Sequence, residues 1–141
     1  MAILFPFEVY TPYHVFYSGS VEAIVLTLID GEAAIYANHA FLTAPIIPCL
    51  LKIKDKDGTW KTAFIAEGML EVTQHKTVLL SDAAEWSGEI DYERAKTAKE
   101  KAEQTLESGM FKFETDSALA SLKRANMRIK VHEAYRHENP S

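Results

Sequence analysis

The chain has 141 residues, 48% of them hydrophobic and 25% charged, a composition typical of globular domains. A net charge of -5 and a pI of about 5.5 exclude the basic surface expected of a nucleic-acid-binding protein. No apolar run reaches the roughly 18 residues of a membrane span, the first ten residues lack the basic start of a signal peptide, and a single cysteine, Cys49, excludes an internal disulfide.

The first 86 residues consist of short runs rich in β-branched and aromatic residues, broken by Gly, Pro and Asp. Strands are predicted over residues 5–10, 13–17, 21–29, 33–37, 50–54, 59–66, 69–73 and 76–80. Lys52 and Lys54 alternate with Leu51 and Ile53, which indicates a strand with one solvent-exposed face. A β-sandwich or flattened barrel of about 8–10 strands is therefore expected over residues 1–86.

Four aromatic residues of the N-terminal strands, Phe5, Phe7, Tyr10 and Phe16, are candidates for a binding surface. If several of them are exposed as one patch, they indicate an interface with another protein.

Residues 87–141 have a different composition, dominated by Ala, Glu, Lys and Arg, and predict an antiparallel two-helix hairpin. Two sets of residues with 3-4-3 or 4-3-4 spacing mark the facing sides of the helices: Ala95, Ala98, Ala102 and Thr105, and Ala118, Leu122, Ala125 and Ile129. Because alanine buries little apolar area, the hairpin is expected to be only marginally stable.

The ends of these helices are also predicted from single residues. Asp91 is the candidate N-cap of the first helix, and Thr115 or Asp116 that of the second. Ser108-Gly109 is expected to end the first helix.

Several motifs follow one another along the chain: FEVYTP at 7–12, FYSGSV at 16–21, GEAAIYANHAFL at 31–42, GMLEV at 68–72, AE at 84–85 and IDYERA at 90–95. In this order and spacing, over nearly the whole length, the chain resembles the epsilon subunit family of F-type ATP synthases. It departs from that family at Ala37-Asn38, where Pro-Gly is common, and at Glu67-Gly68, where Gly-Gly is common. Ile47-Pro48-Cys49 replaces a more usual Lys-Pro-Gly.

The resemblance implies a non-catalytic central-stalk subunit that turns with the rotor and couples proton flow to ATP synthesis. The β-sandwich, residues 1–86, would bind the gamma subunit and rest on the c-ring. The hairpin, residues 87–141, would switch to an extended form that reaches the alpha and beta catalytic subunits and blocks ATP hydrolysis. Such a subunit would lie at the cytoplasmic face of the bacterial plasma membrane as a peripheral protein, without inserting into the membrane.

The resemblance also assigns a regulatory ATP site, with no other cofactor required. Some bacterial relatives bind ATP through an I/L-D-x-x-R-A motif and basic residues of the second helix. The corresponding positions are Glu85, Ile90, Asp91, Arg94, Ala95, Lys101, Arg124 and Arg128. Asp91 would accept hydrogen bonds from adenine or ribose, and the guanidinium groups would hold the phosphates. ATP would keep the hairpin compact, and its loss would let the hairpin inhibit hydrolysis.

Two further residues, Glu32 and His39, are assigned to a partner contact, since the family's loop lies near the rotor interface. A purely structural explanation is also open for two of these residues. His39 would only form hydrogen bonds with the backbone of its own loop, and Asp91 would only cap the first helix. In an extended hairpin, Lys123 and Lys130, with Arg124 and Arg128, could meet acidic residues of the catalytic subunits; the alternative is an ordinary solvated helix face. The five histidines have no spacing typical of a metal site.

A different class of function is a free-standing nucleotide-sensing module, in which the hairpin alone carries the activity. That alternative predicts a stable monomer that needs no stalk partner. An enzyme with a site in the sandwich would need convergent polar groups in a pocket, and the sequence offers none.

Overall fold

Nine strands form a single hydrogen-bonded network in the computed structural model, which describes residues 3–109 and 111–139. The strands are β1 Phe5–Tyr10, β2 Val15–Leu28, β3 Gly31–Tyr36, β4 Leu42–Ile46, β5 Cys49–Asp55, β6 Trp60–Ile65, β7 Gly68–Val72, β8 Thr77–Ser81 and β9 Ala84–Trp86. A 3₁₀ turn, Ser87–Glu89, precedes the helices α1 Tyr92–Ser108 and α2 Lys112–Glu138. Chain contacts divide these elements into two units, Met1–Glu85 and Trp86–Ser141.

The first unit is a sheet that closes on itself around an apolar core. β1 pairs antiparallel with β2 and parallel with β8, and the path β8–β7–β4 returns to β2. Side chains from these strands and from β5 and β6, which continue the sheet beyond β2, form the core; Phe7, Ile24, Leu51 and Phe64 have no exposed surface. The expectation of a β-sandwich followed by a helical hairpin is confirmed.

Two strand predictions were wrong. Residues 15–28 form one 14-residue strand and not two strands separated at Gly19, because the register with β1 continues through Phe7 opposite Gly19. β4 was not predicted, since Pro45 lies inside it and proline usually argues against a strand. Its pairing with β7, Pro45 opposite Met69, outweighs that local preference.

The β5–β6 hairpin follows the predicted pattern. Leu51 and Ile53 are fully buried, whereas Lys52 between them is exposed. The turn is organised by Asp55, whose Oδ1 accepts hydrogen bonds from the backbone N–H groups of Asp57 (2.9 Å) and Thr59 (3.0 Å).

A polar cluster joins β1 to the start of β8. The Tyr10 hydroxyl donates to Glu8 Oε2 at 2.5 Å, and Lys76 Nζ lies 3.0 Å from Glu8 Oε1. The hydrogen bond from Tyr10 is the main reason that the pKa of Glu8 lies below its ordinary value, and the bond from Lys76 lowers it further. The same contacts with Glu8 raise the pKa of Tyr10 and of Lys76.

Replacing Glu8 with glutamine is expected to lower the free energy of unfolding at about pH 7 and to change it less at about pH 3. Folding lowers the pKa of Glu8 below its ordinary value of 4.5. The stabilisation that its carboxylate provides is therefore fully present above about pH 4.5 and is lost as the pH falls through the lower, folded-state pKa. Urea unfolding of both chains at the two pH values measures the difference. An equal difference at both would contradict the role of the carboxylate charge.

The two helices of the second unit pack against each other through the predicted alanine faces. Ala95 and Ala102 of α1 and Ala118 and Ala125 of α2 are buried. This confirms the small-residue seam.

The predicted cap of α1 is confirmed and that of α2 is wrong. Asp91 Oδ1 accepts from Arg94 N at 3.0 Å. α2 begins three residues before Thr115, after Phe111, which provides no side-chain cap. Thr115 lies inside the first turn and donates to Lys112 O at 2.9 Å. Gly109 is the C-cap of the first helix, as predicted. A side chain would not fit there, because a Cβ on Gly109 would lie only 2.2 Å from Thr115 Cγ2.

Candidate functional site

Four of the residues predicted to contact ATP lie at the N-terminal end of α1: Ile90 precedes its N-cap, Asp91 is the N-cap, and Arg94 and Ala95 are in the first turn. Ile90 and Ala95 are buried, while Asp91 and Arg94 are exposed. The cap fixes the orientation of Asp91, because one carboxylate oxygen accepts from the backbone N–H of Arg94. Asp91 therefore acts as the helix cap, and a ligand would have to bind the same carboxylate group that caps the helix.

The antiparallel packing brings the second half of α2 beside this turn. Tyr92 stacks on His132, with ring centroids 4.7 Å apart. Arg128 precedes His132 by four residues and Arg124 by eight, so all three follow one ridge of α2. Both arginines are half-buried. Arg128 lies about 6 Å and Arg124 about 12 Å from His132 along the axis of α2, so Arg124 is beside the middle of α1, at about the level of Lys101. The hairpin thus places two guanidinium groups on the helix that packs against α1, and such groups are suited to binding a phosphate.

The other two predicted ATP residues, Lys101 and Glu85, lie outside the first turn of α1. Lys101 is seven residues after Arg94, about 10 Å along the helix axis, and is exposed. It lines a groove of about 370 Å³ with Ala102, Ala118 and Ser121. Glu85 is half-buried on β9 and belongs to the first unit.

The two residues predicted to contact a partner, Glu32 and His39, are both exposed but lie near opposite ends of β3. Glu32 is the second residue of the strand, and His39 follows Tyr36, the last residue. His39 Nδ1 donates to Ala40 O at 2.7 Å, so the loop backbone accounts for one of its ring nitrogens. The preceding Asn38 has a φ of 63°, in the left-handed region that favours glycine, and asparagine is one of the few other residues that adopt it readily.

The N-terminal aromatic residues do not form the exposed patch that was considered. Phe5 and Phe7 are buried, and Tyr10 and Phe16 are only partly exposed. The cause is the alternation of β1, which directs Phe5, Phe7 and Val9 into the core.

An exposed apolar surface lies beside His39 instead. Phe41 is 74% exposed, Ile3 is 66% exposed and Tyr36 is 61% exposed. These residues, together with Leu4 and His39, line one cleft of about 330 Å³. We call Ile3, Leu4, Tyr36, Phe41 and His39 the end patch. Part of the end patch could have been found from the sequence, since Tyr36 and Phe41 belong to the same motif as His39. Only the tertiary fold brings Ile3 and Leu4 beside them.

A second apolar surface occurs at the opposite ends of β1 and β8. Met69 and Leu80 line a cleft of about 380 Å³ with Pro12, and both side chains are exposed. The parallel register of β1 and β8 separates this surface from the end patch by the length of the strands.

In the part of the chain that the structure describes, no group of three or more His, Cys, Asp or Glu side chains is arranged to hold a metal ion. Within residues 3–109 and 111–139, no helix combines the length and the apolar character needed to cross a membrane.

Comparison with known families matches both units. The model of the ATP synthase delta/epsilon chain beta-sandwich domain covers residues 4–87. The model of the long alpha-helix domain of the same chains covers residues 89–133.

Two curated relatives are similar over nearly their whole length. The ATP synthase epsilon chain of Caldanaerobacter subterraneus subsp. tengcongensis is 48% identical over 132 residues, 93% of this chain and 95% of that protein. The ATP synthase epsilon chain of Caldicellulosiruptor bescii is 47% identical over 134 residues, 95% of this chain and 97% of that protein.

The fold also matches solved structures. A chain in the cryo-EM structure of the Euglena gracilis mitochondrial ATP synthase has a TM-score of 0.69 and 17% identity, covering 96% of this chain and 81% of that one. A chain in the Tetrahymena thermophila mitochondrial ATP synthase central stalk and c-ring structure has a TM-score of 0.60 and 13% identity, covering 93% of this chain and 98% of that one. At these identities the likeness establishes the fold alone.

Proposed function

The chain belongs to the family of ATP synthase epsilon chains, and from this membership we propose that it is a non-catalytic subunit of the central stalk. It turns with the rotor of a proton-translocating F-type enzyme and helps to couple proton flow to ATP synthesis. The observation that carries the proposal is the 48% identity to an epsilon chain over 93% of the sequence, spanning both units.

The first unit binds the gamma subunit and the c-ring under this proposal. The end patch supports such a role, because exposed apolar surface of this kind is typical of protein interfaces. Glu32 and His39 are the polar contacts that we assign to the same partners. The subunit is held peripherally at the cytoplasmic face of a bacterial plasma membrane through these partners.

The helical hairpin regulates hydrolysis under this proposal, and ATP is its regulatory ligand. The alanine seam supports a reversible hairpin, since close contact between small side chains buries little apolar area. Arg128 and Arg124, one and two turns before His132 on the helix that packs against α1, support a phosphate contact. In the extended form the same basic helix contacts the alpha and beta subunits.

The test is ATP hydrolysis by a catalytic complex that contains gamma but lacks this subunit, to which the full chain or residues 1–88 are added back. We expect both chains to bind the complex and only the full chain to reduce hydrolysis. The reason is that the shorter chain retains the end patch and loses both helices.

Each readout has its own control. Binding is measured by co-sedimentation with the complex, and a double substitution in the end patch, Tyr36→Ser with Phe41→Ser, is expected to weaken it. Failure of residues 1–88 to bind would contradict the assignment of stalk binding to the first unit. Binding of both chains without inhibition by either would leave a rotor subunit and would overturn the regulatory role of the helices.

A further inference from the structure

Ring contacts join the first turn of α1 to the last turns of α2. Tyr92 and His132 are stacked, with centroids 4.7 Å apart and an angle of 24° between the planes. Tyr135, less than one turn beyond His132, lies so near Gly88 that a Cβ on that glycine would be 3.0 Å from the Tyr135 hydroxyl. We call Gly88, Tyr92, His132 and Tyr135 the aromatic clasp.

Lys96 adds a further contact at this end of the hairpin. Its Nζ lies 5.3 Å from the centroid of the Tyr92 ring, within the range of a cation–π interaction. Tyr92 thus contacts a residue of its own helix as well as His132 of α2, which restricts the positions that its ring can take.

The opposite end of the hairpin is built differently. The groove there is lined mainly by small side chains, including Ala98, Ala102 and Ala118. Phe111 and Phe113, the aromatic residues nearest the turn, are 62% and 84% exposed. Since contacts between small residues bury little area, the ring pair Tyr92–His132 adds a larger contact at this end of the hairpin than the groove provides at the other.

The aromatic clasp is adjacent in sequence to the residues of the proposed ATP site. Tyr92 follows Asp91 directly and precedes Arg94 by two positions. His132 lies one turn beyond Arg128 on the same ridge of α2. Any separation of Tyr92 from His132 therefore moves the two halves of that site apart.

We propose that the aromatic clasp holds the hairpin closed and thereby fixes the position of Asp91 and Arg94 of α1 relative to Arg128 and Arg124 of α2. Tyr92, His132 and Tyr135 are positioning residues. The second part of the proposal rests on the proposed ATP site, whereas closure of the hairpin does not. If only the closed form binds ATP, the apparent affinity falls in proportion to the closed fraction.

Closure is tested first without nucleotide, by hydrogen exchange of the full chain followed by mass spectrometry of peptides. His132→Ala is expected to speed exchange in peptides of α1 and α2 by about two- to tenfold, the factor that corresponds to the loss of one aromatic pair. Tyr135→Ala, which removes the ring beside Gly88, is expected to speed exchange at least about twofold. Peptides from β5 and β6 serve as the internal reference and are expected to be unchanged. Phe113→Ala, which removes an exposed ring from the same helix, is the matched control and should have little effect.

A conservative variant separates ring stacking from general damage to the helix. His132→Phe keeps an aromatic ring against Tyr92 and is expected to restore slow exchange. Exchange within twofold of the wild type in both alanine variants would overturn the proposal. Fast exchange in His132→Phe equal to that of His132→Ala would overturn the role of stacking.

Isothermal titration with Mg-ATP tests the positioning. The two alanine variants should lose affinity by the factor by which the closed fraction falls, and His132→Phe should recover it. Faster exchange with unchanged ATP affinity would overturn the positioning role. If the wild-type chain binds no ATP, the proposed regulatory site and the positioning role are overturned together, while the exchange data still decide whether the aromatic clasp closes the hairpin.

Discussion

Replacing Gly68 with alanine is expected to unfold the first unit well below the melting temperature of the wild type. Gly68 starts β7 opposite Ser81, and a Cβ there would lie 1.8 Å from Leu80 O and 2.8 Å from Leu80 C. These are backbone atoms of β8, whose position is fixed by pairing with β7 on one side and β1 on the other. Relief therefore requires a shift of the sheet and not of a flexible side chain.

We expect the cost of Gly68→Ala to be about 3 kcal/mol or more, at the upper end for overpacking. For a unit of this size, that lowers the melting temperature by about 10 °C or more. Calorimetry, or far-ultraviolet circular dichroism that follows the β-sheet signal, measures the change in melting temperature.

Gly19→Ala is the matched control for this substitution. Gly19 is also a strand glycine, but its Cβ would meet only the side chain of Tyr17, 3.2 Å from the hydroxyl oxygen, which can move. We expect a change in stability within about 1 kcal/mol. Equal melting of Gly68→Ala and the wild type would show that β7 and β8 do not approach as described.

Replacing Arg124 and Arg128 together with alanine is expected to abolish ATP binding at concentrations where the wild type binds. Each guanidinium group can donate two parallel hydrogen bonds to a phosphate. A hydrogen bond to a charged group contributes about 1.5–3 kcal/mol, so loss of two corresponds to at least about 100-fold in affinity. Isothermal titration of the full chain with Mg-ATP measures the loss, and helix content by circular dichroism verifies that α2 is intact.

The control removes the same charge from the same helix. Lys123 and Lys130 are exposed residues of α2, and their double replacement by alanine lowers the net charge equally. We expect that variant to bind ATP within about threefold of the wild type, since long-range charge effects between exposed groups are screened by salt. An unchanged affinity in Arg124→Ala with Arg128→Ala would remove both arginines from the site. An equal loss in the lysine variant would indicate only a general effect of positive charge.

The parts of the fold that were predictable depend on neighbours in sequence. The alternation of Lys52 with Leu51 and Ile53 and the cap at Asp91 are local patterns, and the structure contains both. β4 escaped prediction because its proline disfavours a strand locally, and the strands that pair with it, β2 and β7, are distant in sequence. The start of α2 was misplaced because Thr115 is a common cap residue, yet packing against Gly109 places it inside the helix.

The candidate sites show the same division. Family motifs locate Asp91, Arg94 and His39 along the chain, and the hairpin topology explains why the arginines of α2 lie on a helix packed against α1. The contact of Tyr92 with His132 joins residues forty positions apart, so no periodicity within either helix reveals it. Leu4 in the end patch is equally invisible in the sequence, since it depends on β1 running beside the loop that follows β3.

The parallel pairing of β1 with β8 has a consequence for biosynthesis. The partners Phe7 and Thr77 are about 70 positions apart, whereas β2 follows β1 after a turn of four residues. β1 can therefore form its hairpin early, but its other edge has no strand beside it until Ser81 has left the ribosome. Closing so long a loop slows folding, and an open edge can pair with the edge of another chain. The nascent first unit is thus most exposed to aggregation before β8 is synthesised, and the helices, whose contacts are more local, can form only after that interval has passed.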